Sequence, residues 1–293
     1  MDALFEWGYL VIQGLQSYRN PFFDLLFQLL TLTGDVEFYL ILLPTVYWMV
    51  NKRLGTHFAV LFVFSTYINL YLKALLNQPR PSASRVAVWH ESSSGGGLPS
   101  GHTQNATVLW GFLAKRWPQR WFQALMVFLI VGAGISRIYF GVHFPHDVLA
   151  GWALGLMVLA VYFKLASPIE QWLGKQALPV QIILPTTLTV LLLLFFNDEN
   201  ITNLMAAFFG LALGVPLEVA YVQYQEQSGN WIKRLGRYLL GVVILILIWR
   251  GLKPFLPDDF LGNFIRYGLI GFWIALGGPW AFVKSKLAEG GEG

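Results

Sequence analysis

Apolar residues in this chain come in runs too long and too clean for the core of a soluble domain. The stretches 121–135, 148–163, 179–196, 238–249 and 267–283 contain no Asp, Glu, Lys or Arg. With their flanks they approach the roughly 20 residues that cross a hydrocarbon layer as helix. A buried soluble bundle is the alternative, and five such runs argue against it. The pattern predicts nine crossings, at about 36–51, 56–77, 102–116, 120–138, 145–165, 179–197, 200–224, 236–253 and 263–284. Residues 4–17 and 22–33 are apolar but too short to span. Arg19-Asn20-Pro21 separates them and Gly34-Asp35 closes the second. They are expected to lie in the membrane interface, rich in Phe and Trp. The expected fold is all-α: a polytopic membrane helix bundle of about nine transmembrane helices plus short interfacial helices at the N-terminus. Residues 1–35 form the interfacial helices, 36–166 the segment carrying the polar motifs, 167–288 additional C-terminal transmembrane helices, and 289–293 a flexible tail.

Composition supports this division. Of 293 residues, 56% are hydrophobic and 12% charged, with mean hydropathy +0.55, whereas soluble domains carry about 25% charged residues. The absence of cysteine removes disulfides, thiolate metal sites and a cysteine nucleophile. The first residues lack the basic region of a cleavable signal peptide. A net charge of +4, spread over helix ends, is no nucleic-acid footprint. The loops 51–55, 115–120, 164–178 and 224–237, with the tail after 283, hold twelve of the twenty Lys and Arg residues. The positive-inside rule therefore makes that side cytoplasmic. The N-terminus is then outside and the C-terminus cytoplasmic, and segments 78–101 and 139–144 fall on the outer face.

Three polar patches stand on that outer face. Lys73 lies near the end of a helix and Arg80 follows about two turns on, between Pro79 and Pro81, which stop regular helix. A cation and a guanidinium fork aimed at one spot suit a dianionic phosphate. Pro99-Ser100-Gly101-His102 opens a helix, with Ser100 as N-cap and the unpaired first-turn N–H groups facing outward to an anion. In Ser136-Arg137-x5-His143-Phe-Pro145-His146-Asp147, Pro145 suits the first position of a helix. Asp147 in the first turn can point back to the His143 imidazole. A carboxylate on one ring nitrogen fixes the tautomer and leaves the other free to attack. Each patch alone has a plainer explanation: snorkelling cations, a polar residue near a helix start, a capped histidine. Together they bring three cations, two histidines, a carboxylate and a helix N-terminus to one membrane face, the set phosphoryl transfer needs.

Lys73-x6-Arg80-Pro81, Pro99-Ser100-Gly101-His102 and Ser136-Arg137-x5-His143-x3-Asp147 resemble the three signature motifs of the type 2 phosphatidic-acid phosphatase superfamily, which includes vanadium haloperoxidases. The resemblance covers roughly 36–165 and leaves out the last four crossings. The nine-crossing layout is similar to the glucose-6-phosphatase and sphingoid-base phosphatase branches. The resemblance implies a metal-independent phosphoric monoester hydrolase without cofactor, working through a phosphohistidine. In that scheme Lys73, Arg80 and Arg137 bind phosphate oxygens with the backbone at Ser100 and Gly101. His143 attacks phosphorus, His102 protonates the leaving alcohol and then activates water, and Asp147 holds His143. The implied substrate is a phosphorylated lipid or another small phosphomonoester, a sugar phosphate included. A bacterial inner membrane with the site facing the periplasm is the expected setting.

Two other readings compete. His102, His143, His146 and Asp147 could be read as metal ligands, but the three cations would repel a divalent ion. A transporter or lipid-binding protein with an inactive site could recruit Glu218 as a proton relay. Glu218 lies near the cytoplasmic end of its helix, and snorkelling toward Lys233 and Arg234 explains it more simply. His57 has no role in any of these readings, while Trp89 and His90 in the outer loop could touch a headgroup. The sequence does not fix the oligomeric state.

Overall fold

The computed structural model describes residues 2–89 and 95–291. In chain order the helices are α1 (Asp2–Gln16), α2 (Pro21–Leu32), α3 (Val36–Thr45), α4 (Lys52–Leu76), α5 (Gly101–Arg116), α6 (Arg120–Tyr139), α7 (Pro145–Leu173), α8 (Leu178–Phe195), α9 (Glu199–Leu217), α10 (Trp231–Ile246), α11 (Phe260–Phe272) and α12 (Gly278–Lys284). Single π-helical turns extend α3, α9, α10 and α11. Among the described residues, seven helical stretches are long and apolar enough to cross a membrane: Lys52–Leu76, Arg120–Tyr139, Pro145–Leu173, Leu178–Phe195, Glu199–Val222, Trp231–Phe255 and Phe260–Lys284. The chain is a polytopic helical membrane protein. The two other expected crossings coincide with shorter helices, around α3 and at α5. The 16 residues of α5 rise only about 24 Å.

Helix starts follow the local sequence. Asn20 caps α2, its Oδ1 accepting from the amides of Phe22 and Phe23 at 3.0 and 3.1 Å, with Pro21 in the first turn. Asp198, Asn230 and Asp259 cap α9, α10 and α11 in the same way.

Two compact units divide the chain. The first comprises residues 1–39 and 64–165. Its core joins Tyr9 and Ile12 of α1 to Val86, Ile138, Phe144 and Val148. Helix α5 is polar for a bundle helix, and its buried amides are satisfied by α4. Asn69 Nδ2 donates to Gln104 Oε1 at 2.7 Å, Gln104 Nε2 donates to the Ser65 carbonyl at 2.8 Å, and Ser65 Oγ donates to Asn105 Oδ1 at 2.9 Å. On its other side α5 meets α7 almost backbone to backbone. A Cβ added at Gly151 would stand 2.7 Å from the Ser100 carbonyl oxygen. This contact, with the Ser100 amide donating to the Asp147 carbonyl at 3.0 Å, ties the start of α5 to the start of α7.

The second unit comprises residues 40–63 and 166–293. Its core packs Tyr47, Trp48, Val222, Tyr224 and Phe282. Glu218 is fully buried there, and it does not reach toward Lys233 and Arg234. It accepts from Lys52 Nζ at 2.9 Å and from the Tyr224 amide at 2.7 Å. A partner 166 residues distant satisfies the carboxylate, which removes the reason to snorkel. The tail also differs from a free end over 289–291. The Gln225 amide donates to the Glu289 carbonyl at 3.0 Å and the Gly291 amide to the Val222 carbonyl at 3.1 Å. Residues 292 and 293 lie outside the described residues.

Gly151→Val should wedge α5 from α7 and destabilise the protein by about 1–3 kcal/mol, the usual cost of overpacking. Thermal unfolding in detergent should show the loss, whereas Gly14→Ala, with open space around its Cα, should change little.

Candidate active site

All three polar patches lie in the first unit. Lys73 stands in the last turn of α4 and is buried. After α4 the chain leaves helix at Asn77, and Arg80 turns back over the helix end. Arg80 Nε donates to the Gly95 carbonyl at 3.1 Å and Nη1 to the Val142 carbonyl at 3.2 Å. That second nitrogen lies 3.4 Å from His143 Nε2. Arg137, buried in the last turn of α6, donates through Nη1 to Thr31 Oγ1 at 2.8 Å, while its Nε has no hydrogen-bond partner among the described residues.

His143 sits in the short connection between α6 and α7 and is 1% exposed. Its amide and that of Val142 donate to the Arg137 carbonyl, which binds the loop to the end of α6. Nδ1 lies 3.3 Å from Asp147 Oδ2, the expected i,i+4 pairing. The Phe144 amide also donates to Oδ2 at 2.9 Å, so the carboxylate is held from two sides. With Nδ1 turned to Asp147, Nε2 faces Arg80. Burial and the neighbouring Lys73, Arg137 and Arg80 hold the imidazole well below the usual histidine range. A neutral ring with one nitrogen oriented by a carboxylate and the other turned to a guanidinium can act as a nucleophile toward an anion those cations bind.

Ser100 precedes α5 in extended conformation, as an N-cap should, but its side chain caps nothing. Its hydroxyl instead accepts from Thr103 Oγ1 at 2.9 Å. A Cβ on Gly101 would meet Asn69 Oδ1 at 3.0 Å, and one on Gly97 would meet Asp147 Oδ2 at 3.1 Å. Small residues thus allow close approach at Asn69 and Asp147. His102 is near enough to His143 to contribute, least of the four neighbouring charges, to the lowering of its pKa.

Three contributors escape motif reading. Thr31 orients Arg137, and Asp35 Oδ1 lies 2.5 Å from His102 Nε2. Gln78 Nε2 lies 2.5 Å from His146 Nε2. Thr31 and Asp35 come from the end of α2 and the turn after it, more than 60 residues from their partners. A lone Thr and a lone Asp beside an apolar run give no local signal. Trp89 stacks on Phe140 with the Arg19 guanidinium over its ring, yet stays exposed at the surface. His90 and Ser92–Ser94 lie outside the described residues. Among the described residues, no three His, Asp or Glu side chains are grouped to hold a metal ion. His146 pairs with Gln78, and Asp147 with His143.

Both halves of the chain match known proteins. Residues 54–169 match the family described as the PAP2 superfamily, and residues 202–290 match the transmembrane extension of PAP2 superfamily phosphatases. The likeness therefore reaches into the last helices, beyond the 36–165 that the motifs cover. The chain is 26% identical to a lipid phosphate phosphatase delta of Arabidopsis thaliana, over 82% of this chain and 65% of that one. It is 30% identical to a probable sphingosine-1-phosphate phosphatase of Dictyostelium discoideum, over 55% of this chain and 43% of that one. It thus spans less than two thirds of either relative's length. Among solved structures, a transmembrane PAP2-type phosphatidylglycerolphosphate phosphatase from Bacillus subtilis superimposes with TM-score 0.50 at 25% identity, over 58% of this chain and 89% of that chain. Motif-bearing helices and C-terminal helices alike match one lineage, and the chain belongs to the PAP2 superfamily.

Proposed function

We propose that this chain is an integral membrane phosphatase that hydrolyses a phosphomonoester of a lipid-like substrate through a phosphohistidine, without a metal. The observation that carries the reading is the buried His143, with Nδ1 on Asp147 and Nε2 3.4 Å from Arg80, inside a ring of cations. Lys73, Arg80 and Arg137 bind the phosphoryl oxygens, helped by the backbone amide of Gly101, while the Ser100 amide is held by the Asp147 carbonyl. His143 Nε2 attacks phosphorus and the ester P–O bond breaks. His102 gives its proton to the departing oxygen. Neutral His102 then takes a proton from water as that water attacks phosphorus, the P–N bond breaks, and phosphate leaves. Asp147 fixes the His143 tautomer and balances the charge that develops on the ring. Positive charge preorganised in a water-poor site stabilises the transferring group, so the protein's own side chains supply what a metal otherwise would.

A site among the ends of membrane helices favours an amphiphile whose headgroup sits at the interface, and the lipid phosphatases among the relatives support that class. The basic loops favour a cytoplasmic C-terminus, with the site on the opposite, outer face, periplasmic in a bacterium.

Purified protein in detergent should release phosphate from phosphatidate or a sphingoid-base phosphate in the presence of EDTA, and vanadate should inhibit it. Activity abolished by chelation would overturn the metal-free route, and a preference for glucose 6-phosphate would redirect the substrate class. His143→Ala should abolish turnover and His102→Ala should slow it strongly. Arg80→Ala and Arg137→Ala should each lose about 2.7–4 kcal/mol of transition-state stabilisation, as for an oxyanion-hole donor.

The attacking ring must be neutral, and its depressed pKa keeps it so as the pH falls. The acidic limb of kcat/KM set by His143 should therefore lie below about pH 6.5, the ordinary histidine value. Arg80→Ala, by removing a cation, should move that limb toward higher pH.

A further inference from the structure

We propose that Asp35 is the positioning residue for His102, forming with it a second carboxylate–imidazole pair that serves the departing oxygen as Asp147 serves the nucleophile. The proposal rests on the phosphatase reading above. Asp35 Oδ1 stands 2.5 Å from His102 Nε2, with both side chains largely shielded (28% and 22% exposed). A carboxylate only accepts, so Nε2 carries the hydrogen in this pair. The proton available for transfer is then the one on Nδ1.

The turn carrying Asp35 is pinned against its target. The Gly34 amide donates to the Thr31 carbonyl at 2.9 Å and the Asp35 amide to the Leu32 carbonyl at 3.1 Å. A Cβ on Gly34 would fall 2.7 Å from His102 Cβ and 2.8 Å from its Cα, so only glycine lets the turn lie this close. One turn earlier, Thr31 holds Arg137 at 2.8 Å. The end of α2 thus touches both the acid and a phosphate-binding cation, and α1 and α2 belong to the same compact unit as the motifs.

The two carboxylates hold opposite nitrogens. Asp147 takes His143 Nδ1 and leaves Nε2 for phosphorus, while Asp35 takes His102 Nε2 and leaves Nδ1 for the leaving oxygen. In the first step the P–O electrons move onto the leaving oxygen, which takes the Nδ1 proton of the His102 imidazolium. Asp35 keeps its charge and the Nε2–H bond throughout. In the second step Nδ1 recovers a proton from water as oxygen bonds to phosphorus and the P–N bond breaks. Without Asp35 the ring could rotate or hold the other tautomer.

The test is leaving-group dependence of kcat/KM, which reports steps up to P–O cleavage. An alkyl phosphate needs the acid, whereas p-nitrophenyl phosphate departs as a stabilised phenolate and scarcely does. Asp35→Asn keeps the shape and removes the charge. It should lower kcat/KM for an alkyl phosphate by roughly tenfold to a hundredfold, at most the lower edge of the roughly 10²–10⁴-fold that a positioned acid itself supplies, yet change p-nitrophenyl phosphate by less than about threefold. In a His102→Ala background the same change should have little further effect, because the two act as one unit. An equal fall for both substrates would mean that Asp35 acts through folding or through Arg137, and would overturn the proposal. So would an undiminished alkyl rate, or a full further loss in the His102→Ala background. Wild-type protein that releases phosphate from neither substrate would instead refute the function itself, and the role of Asp35 with it.

Discussion

Mutual repulsion among buried cations is the constraint around which the motif-bearing unit is arranged. Lys73, Arg80 and Arg137 all act on the charge of His143, and Lys73 and Arg137 are each less than one tenth exposed. Like charges gathered away from water are unfavourable unless an anion shares the space. Among the described residues, Asp147 and Asp35 act on these cations, and each also faces an imidazole: Asp147 that of His143 and Asp35 that of His102. In the proposed reading a tetrahedral dianion shares that space, matching the cations in sign and in the fork geometry of two guanidinium groups.

Holding such an arrangement requires a stiff frame, and in an apolar chain the frame has to be made of polar and small residues. Leu and Val pack as well against lipid as against each other, so apolarity alone does not choose a helix partner. Here the choice falls to the amides of Asn69, Gln104 and Asn105 between α4 and α5, and to Gly151 against the Ser100 carbonyl between α5 and α7. These contacts bring the ends of α4, α5 and α7, which carry Lys73, His102 and Asp147, into one place. In the second unit the same economy of polar groups appears in the buried Glu218–Lys52 pair and in Arg237, which donates to Tyr224 Oη and to the carbonyls of Glu226 and Ser228. Those charges are closed on themselves and structural in character, which separates them from the cluster of like charges around His143.

What was legible in the sequence was whatever is local. Long charge-free runs are enough to specify membrane helices, because a backbone in lipid has to satisfy its own hydrogen bonds. Asn20 and Pro21 open a helix, and Asp147 in the first turn of α7 reaches back to His143 just before that helix, so that pair could be read from spacing alone. The motif residues were identifiable because polar side chains are conspicuous in so apolar a background. Tertiary structure alone decided the rest. Thr31 reaches Arg137 across 106 positions, Asp35 reaches His102 across 67, and Glu218 pairs with Lys52 across 166. No periodicity encodes such distances, since they depend on which helix faces lie together after packing. Ser100 gives the same lesson on a smaller scale: its type marks a helix start, while the fold turns its hydroxyl to Thr103. Sequence fixes the repertoire of hydrogen-bonding groups, and the packed chain selects their partners, because a buried polar group bonds to whatever the fold sets beside it.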